Sequence, residues 1–389
     1  MTSAPLNTQN TLRDGMIELT FGEPDPALLA VGLVRRAAAA ILDDAGPAAL
    51  AYGSNAGPET LREEIARRIT AREGRTCAAD DVLVSAGNSQ ALGQVRTVLT
   101  APGDVVLVES PTYNRALGIM RDHPGTVVGV PLDEEGLRLD ALRAVLAESS
   151  TAGRHARLLY TIPTFHNPTG VCLSAERRRD LLAIAAEHDL IVVEDDVYRE
   201  LVYEGRAPSS LWALGEGTPV IRLGSLSKTL APGLRVGWIN ASAGLLERLA
   251  AAGVLESGGC VSQFAASVVG RLLAAGEYDE HVAKLRRAYA SRRDALAEGL
   301  REHLPPGCDF ATPAGGFFIW LTLPSDLLAT ELLPTAEAHG VAFAPGARFC
   351  SDGDDRSLRL AFSLYDEAAL TESARRLGAA VTAALAGRA

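Results

Sequence analysis

Lysine is almost missing from this chain. Of 37 lysines and arginines only Lys228 and Lys284 are lysine, leaving 35 arginines. Where any positive charge suffices the sequence uses arginine, so a retained lysine points to chemistry a guanidinium cannot do. An amine can lose its proton and attack a carbonyl to form a Schiff base; a guanidinium stays protonated. Apolar runs are short or broken by charge, which excludes a helical membrane span. Positive charge is also in deficit: the formal net charge is -11, with acids and bases interspersed. That balance excludes a general nucleic-acid or membrane-surface binder and reads as a solvated surface. The five cysteines, Cys77, Cys172, Cys260, Cys308 and Cys350, are scattered and lack CxxC spacing. The pattern argues against a disulfide framework or a metal site and predicts free thiols in a reducing cytoplasm. No basic segment followed by an apolar one opens the chain, so no signal peptide is expected and the expected location is cytoplasmic.

What is present is a large apolar content, 47% of 389 residues, enough for a sizeable core. Residues 1–15 read as a polar arm, 17–21 as a short strand and 28–43 as a helix. The helix at 58–73 places Leu61, Ile65 and Ile69 on one face. Short apolar strands then alternate with helices. The strands fall at 81–85, 105–109, 126–131, 158–162, 191–195 and 220–224, the helices at 89–99, 115–122 and 175–188. This predicts an α/β fold whose large domain has a mainly parallel sheet covered on both faces. A long helix at 276–303, strand-like 316–323 and 358–362, and a helix at 327–339 predict a smaller α+β domain. The expected division is an arm and small-domain segment at 1–45, a large domain at 46–280 and a small domain at 281–389. In such sheets chemistry gathers in loops beyond the strand ends, where the motifs below lie.

Lys228 sits in such a loop, between Ser225, Ser227 and the run Gly233-x-Arg235-x-Gly237-Trp238. Two hydroxyls and a rigid five-donor guanidinium suit a phosphate, and nearby cations depress the pKa of the amine. Ser85 to Leu92 spans a strand end and a helix start, where open amides and the helix dipole also suit an anion. Glu194-Asp195-Asp196 puts three acids at a strand end, an expensive place unless they are solvated or paired. Lys284 lies in a polar helix and acquires no chemistry.

Around Lys228 the run Ser225-x-Ser227-Lys228 with Arg235, Gly237 and Trp238 resembles the cofactor-lysine motif of fold-type I pyridoxal-phosphate enzymes. The chain from Phe21 to Phe362 resembles class I/II aminotransferases of the aminoadipate and kynurenine branch, which includes the aminotransferase-like domain of MocR-type regulators. The resemblance implies that Lys228 carries pyridoxal 5'-phosphate. Asn88 and Ser89, where the family usually has Ser-Gln, would wrap its phosphate together with Ser225, Ser227 and Arg235. Tyr113 would stack on the ring. Asn167, in Asn167-Pro168-Thr169-Gly170, and Tyr198 would reach the 3′-oxygen. Asp195 would meet the pyridine nitrogen; Asp196 competes by position, and the spacing to Tyr198 favours Asp195. Arg359, in Leu358-Arg359-x-x-Phe362, would clamp the substrate α-carboxylate, with Gly22 closing over it and Asn167 beside it. Arg356 reads as a surface charge. Tyr52 would reach the phosphate of a partner subunit, implying a homodimer with shared active sites, and Gln263 would lie at the same interface. Trp212, Trp238 and Trp320 are expected in the core.

The implied reaction is amino transfer between an L-amino acid and a 2-oxo acid. The same parts can serve a pyridoxal-phosphate lyase, decarboxylase or oxidase. A MocR-like sensing regulator is a further alternative, although residues 1–20 are too few for a winged helix. Glu23 and His166 are candidates for the substrate's distal end; their plain readings are a solvated loop acid and a loop histidine bonded to backbone.

Overall fold

Buried strands with alternating side chains must face two cores, and the central sheet is built that way. The computed structural model describes residues 12–259, 262–350, 353 and 355–387, so Cys260 and residues 1–11 lie outside the described residues. After the short β1 (Ile17–Glu18) come β2 (Val82–Ser85), β3 (Val105–Ser110), β4 (Thr126–Asp133) and β5 (Gly136–Leu137). They are followed by β6 (Ala156–Thr161), β7 (Ile191–Asp195), β8 (Val220–Ser225) and β9 (Gly237–Asn240). Strands β2 to β9 form one sheet in the order β2-β9-β8-β7-β6-β3-β4-β5. The run from β8 to β4 is parallel. Strand β9 is antiparallel to β2 and β8, and β5 to β4. The six strands expected in this region are present. Strand β9 was not anticipated, because four residues ending the lysine motif carry too little alternation to announce a strand.

Side-chain parity sorts the two cores. Val105, Leu107 and Val192 face one; Val106, Val108, Ile191 and Val193 face the other. Helices α1 (Val31–Ala45) and α2 (Glu59–Glu73) cover the first face. Helices α3 (Asn88–Leu99) and α4 (Asn114–Arg121) cover the second. Then α5 (Leu139–Thr151) and α6 (Ala175–Glu187) return to the first face, followed by the short α7 (Leu211–Leu214). Local signals set the helix ends. Ser174 caps α6 by accepting from Arg177 N at 3.2 Å, and α2 stops at Gly74, whose φ of 74° is left-handed.

Helices α8 (Ala243–Ala250), α9 (Gly253–Glu256) and α10 (Gln263–Ala274) lead into the 26-residue α11 (Tyr278–His303). Helix α11 starts in the first core with Tyr278 and Val282 and continues into a third core with Leu285, Tyr289 and Leu296. That core belongs to an antiparallel sheet of β10 (Asp309–Phe310), β11 (Phe318–Thr322), β13 (Ala344–Pro345) and β14 (Ser357–Ala361), in the order β10-β11-β14-β13. Strand β12 (Val341–Ala342) pairs in parallel with β1, and α12 (Ala329–Ala338) and α13 (Glu367–Ala386) complete the unit. Within residues 1–45, β1 pairs with β12 in a two-stranded sheet of its own, while Ala37 of α1 belongs to the first core. Trp212 is buried as expected, but Trp238 and Trp320 are only partly buried. Among the described residues no cluster could hold a metal ion, and no helix is long and apolar enough to cross a membrane.

Candidate active site

The carboxyl ends of β2, β3, β6, β7 and β8 open on one side of the sheet, and their loops carry the residues singled out above. Lys228, three residues past β8, donates from Nζ to the carbonyl of Gly22 at 2.9 Å. The N-terminal arm therefore lies directly over the amine. A side chain at position 22 would overlap the Phe318 ring, so the close approach needs glycine. Burial lowers the Lys228 pKa to about 8; Glu23 and Asp195 oppose the shift, and Arg359 and Arg235 assist it. Lys284 is exposed on α11.

All three acids at the end of β7 are paired, each differently. Glu194 accepts from the amides of Leu211 and Trp212 at 3.0 and 3.1 Å, starting α7. Asp196 is held by two cations, Arg222 at 2.8 Å and Arg199. Asp195 has only neutral donors: Asn88 Nδ2 reaches Oδ1 at 2.6 Å and Tyr160 OH reaches Oδ2 at 2.7 Å. Burial raises the Asp195 pKa to about 6 against the pull of those two bonds. The Asn88 side chain, expected at a phosphate, is thus turned toward Asp195. Tyr160 escaped the sequence reading. Its signal was strand parity: Leu158 and Tyr160 of β6 share a face with Ile191 and Val193 of β7, and Asp195 continues that face.

Beside this pair lies a cradle for an anion. No side chain caps α3 at Gly87, so its first amides stay open. Gly87 has φ 89°, and a Cβ there would come within 2.6 Å of Arg235 Nη2. Arg235 itself adopts a left-handed φ of 52°, a strained choice for a residue with a side chain. Its guanidinium donates to the carbonyls of Ala86 (2.9 Å) and Pro232 (3.1 Å) and has no acidic partner among the described residues. Ser225 and Ser227 hydrogen-bond each other at 2.9 Å, Ser85 Oγ is buried without a partner, and Ser89 is exposed in the first turn of α3. Open amides, hydroxyls and one unneutralised guanidinium fit a phosphate.

On the opposite wall Arg359 donates from Nη1 to Asn167 Oδ1 (2.8 Å) and from Nη2 to the carbonyl of Thr20 (2.6 Å). It lies between Phe318 and Phe349, 4.3 and 4.6 Å from the ring centroids, and its buried Nε has no partner. Tyr198 is buried edge-on against Phe317 and Phe318. Tyr113 is partly exposed, and burial of its hydroxyl raises its pKa. His166 is buried, with Nδ1 2.9 Å from Thr169 Oγ1 and Nε2 3.1 Å from Glu109 Oε2 on β3. Glu23 is partly buried near Lys228, and Arg356 is exposed. Tyr52 stays out of this group, 89% exposed above Gly258, while Gln263 packs on Gly53.

A family model described as aminotransferase class I and II matches residues 14–377. The chain belongs to the class I and II aminotransferases. This aminotransferase is 37% identical to the 2-aminoadipate transaminase of Thermus thermophilus, over 97% of this chain and 92% of that one. It superposes on Pyrococcus horikoshii kynurenine aminotransferase, solved in complex with PMP, with a TM-score of 0.90 and 35% identity, covering 95% of this chain and 92% of that one. The Thermus thermophilus alpha-aminoadipate aminotransferase, complexed with N-(5'-phosphopyridoxyl)-L-leucine, gives 0.87 and 34%, covering 96% and 94%. The fold is that of the fold-type I aminotransferases. The enzyme transfers amino groups between amino acids and 2-oxo acids and depends on pyridoxal phosphate, which the cradle and the buried amine fit.

Proposed function

We propose that Lys228, Asp195 and Arg359 divide the work of amino transfer on opposite sides of one cleft. One observation carries the reading: the Lys228 amine, its pKa lowered by burial, lies under the arm within electrostatic reach of both Asp195 and Arg359. Pyridoxal phosphate, when bound, supplies an aldehyde that exchanges amines and a ring that takes up the electron pair released at the substrate Cα. Arg235, Ser225, Ser227 and the amides of Asn88 and Ser89 would hold the phosphate. Asp195 would keep the ring nitrogen protonated, Tyr113 would serve the ring, and Asn167 and Tyr198 would serve its 3′-oxygen. Arg359 would grip the α-carboxylate through its guanidinium, with Asn167 beside it. Lys228 Nζ takes the Cα proton and gives it back, and the Gly22 arm shields that transfer from water.

The test is an anaerobic half-reaction with single amino acids, read in the cofactor spectrum. The reading expects conversion to the amine form, reversed by a 2-oxo acid, and the panel ranks the substrates. Irreversible loss of the carboxylate, or oxygen uptake in air, would overturn it in favour of a decarboxylase or oxidase.

Tyr52 supports a homodimer with shared sites. It is 89% exposed, and Leu50, two residues before it, is 69% exposed, so the two leave apolar surface open to solvent. In this reading Tyr52 of one subunit completes the phosphate cradle of the other. Co-refolding Tyr52→Ala with Lys228→Ala should then restore activity that neither variant has alone, because the hybrid assembles one intact site. No recovery in verified hybrids would exclude sharing.

A further inference from the structure

We propose that Tyr160 is a positioning residue for Asp195, its hydroxyl acting with the Asn88 amide to hold the carboxylate in one orientation while leaving its charge available to the cofactor. The inference rests on the placement of Asp195 at the ring nitrogen proposed above.

Parity brings the two groups together. Tyr160 of β6 pairs with Val193 of β7, and Asp195 lies two residues farther along the same face. The ring is packed among Leu158, Ile162, Val106 and Val108, with 0% exposure. Phenylalanine would fill that space equally well, so packing alone does not call for a hydroxyl. The hydroxyl's one hydrogen bond, 2.7 Å to Asp195 Oδ2, accounts for it. Asn88 supplies the matching donor to Oδ1 at 2.6 Å.

The nature of the donors matters. Each carboxylate oxygen accepts one neutral hydrogen bond and keeps a lone pair for another donor. Asp196 shows the alternative: Arg199 and Arg222 neutralise it, so it has little attraction left for a protonated ring. Tyr160 cannot lose its own proton, because burial and the neighbouring Asp195 charge push its pKa far up. It remains a donor at every working pH. The other groups acting on Asp195 are Asp196, which disfavours its charge, and Lys228, which favours it. Tyr113 and Tyr198 also face it.

The test uses the loaded enzyme and Tyr160→Phe, which keeps the ring and removes the oxygen. Three readouts are expected to move: kcat falls about tenfold with KM within about twofold, cofactor loss on dilution speeds up about tenfold, and the cofactor's spectral pH midpoint shifts. In an Asp195→Asn background the same substitution should add almost nothing. Circular dichroism and the melting temperature report whether the variant folds; a variant that unfolds would show that Tyr160 is needed for packing and overturn the inference. Wild-type behaviour of a folded Tyr160→Phe would overturn it too, as would an undiminished loss in the Asp195→Asn background. If wild type takes up pyridoxal phosphate while Tyr160→Phe changes nothing, this inference alone fails. If wild type does not take it up, the reading beneath it fails as well.

Discussion

Lys228→Arg removes turnover, lowering kcat by at least about four orders of magnitude, while Lys284→Arg leaves it within about twofold. Arginine keeps the charge and much of the length, so a charge-only role for Lys228 would survive the change. A nucleophile and proton carrier would not, because guanidinium holds its proton throughout the working range. Steady-state kinetics on both variants measure the contrast. Lys228→Met separates the amine's chemical role from its structural cost. The folded-state pKa of about 8 lies below the ordinary 10.5, so between those pH values the unfolded chain binds a proton the folded one does not. Stability therefore rises with pH through that window, and below about pH 8 the folded protein bears the whole cost of burying the ammonium. Without cofactor, Lys228→Met should be more stable than wild type at pH 7 by on the order of 1–2 kcal/mol, discounted for partial solvent access. The advantage should vanish toward pH 10.5. A thermal melt series across that range checks the sign.

Arg359→Lys lowers kcat/KM by about a hundredfold to a thousandfold, equivalent to about 3–4 kcal/mol, mostly through KM. The guanidinium plane is fixed by Phe318 and Phe349, and two of its nitrogens are engaged by Asn167 and Thr20. A guanidinium so fixed still offers further N–H groups for a two-bond fork to a carboxylate, which an ammonium cannot reproduce. Lysine would also leave Asn167 Oδ1 short of a donor in a buried place. The interaction is made to the bound substrate and the transition state alike, so KM carries the loss. Equal KM in Arg359→Lys and wild type would remove Arg359 from the carboxylate site.

Much of the architecture was legible because burial on both faces gives parallel strands their plain apolar runs, as in 105–109 and 191–195. The reactive loops were legible for a related reason: Gly, Ser, Lys and Arg at strand ends are not core residues, so their pattern stands out. What stayed hidden depended on orientation. Tyr160 looks like any strand tyrosine until β6 and β7 are placed in register. The difference between Asp195 and Asp196 becomes physical only when Arg199, three residues on, and Arg222, from β8, are seen to occupy Asp196. The closeness of His166 to Glu109 is equally hidden, because Glu109 lies 57 positions earlier, on β3. Nothing in the sequence of α1 says that Ala37 packs in the first core.

The scarcity of lysine gives the central claim its most direct test. The purified enzyme is loaded with pyridoxal phosphate, reduced with borohydride, digested, and its peptides are weighed. A phosphopyridoxyl group on the Lys228 peptide, with Lys284 unlabelled, is the predicted result. Label on Lys284, or on neither lysine of an enzyme that turns over, would contradict it.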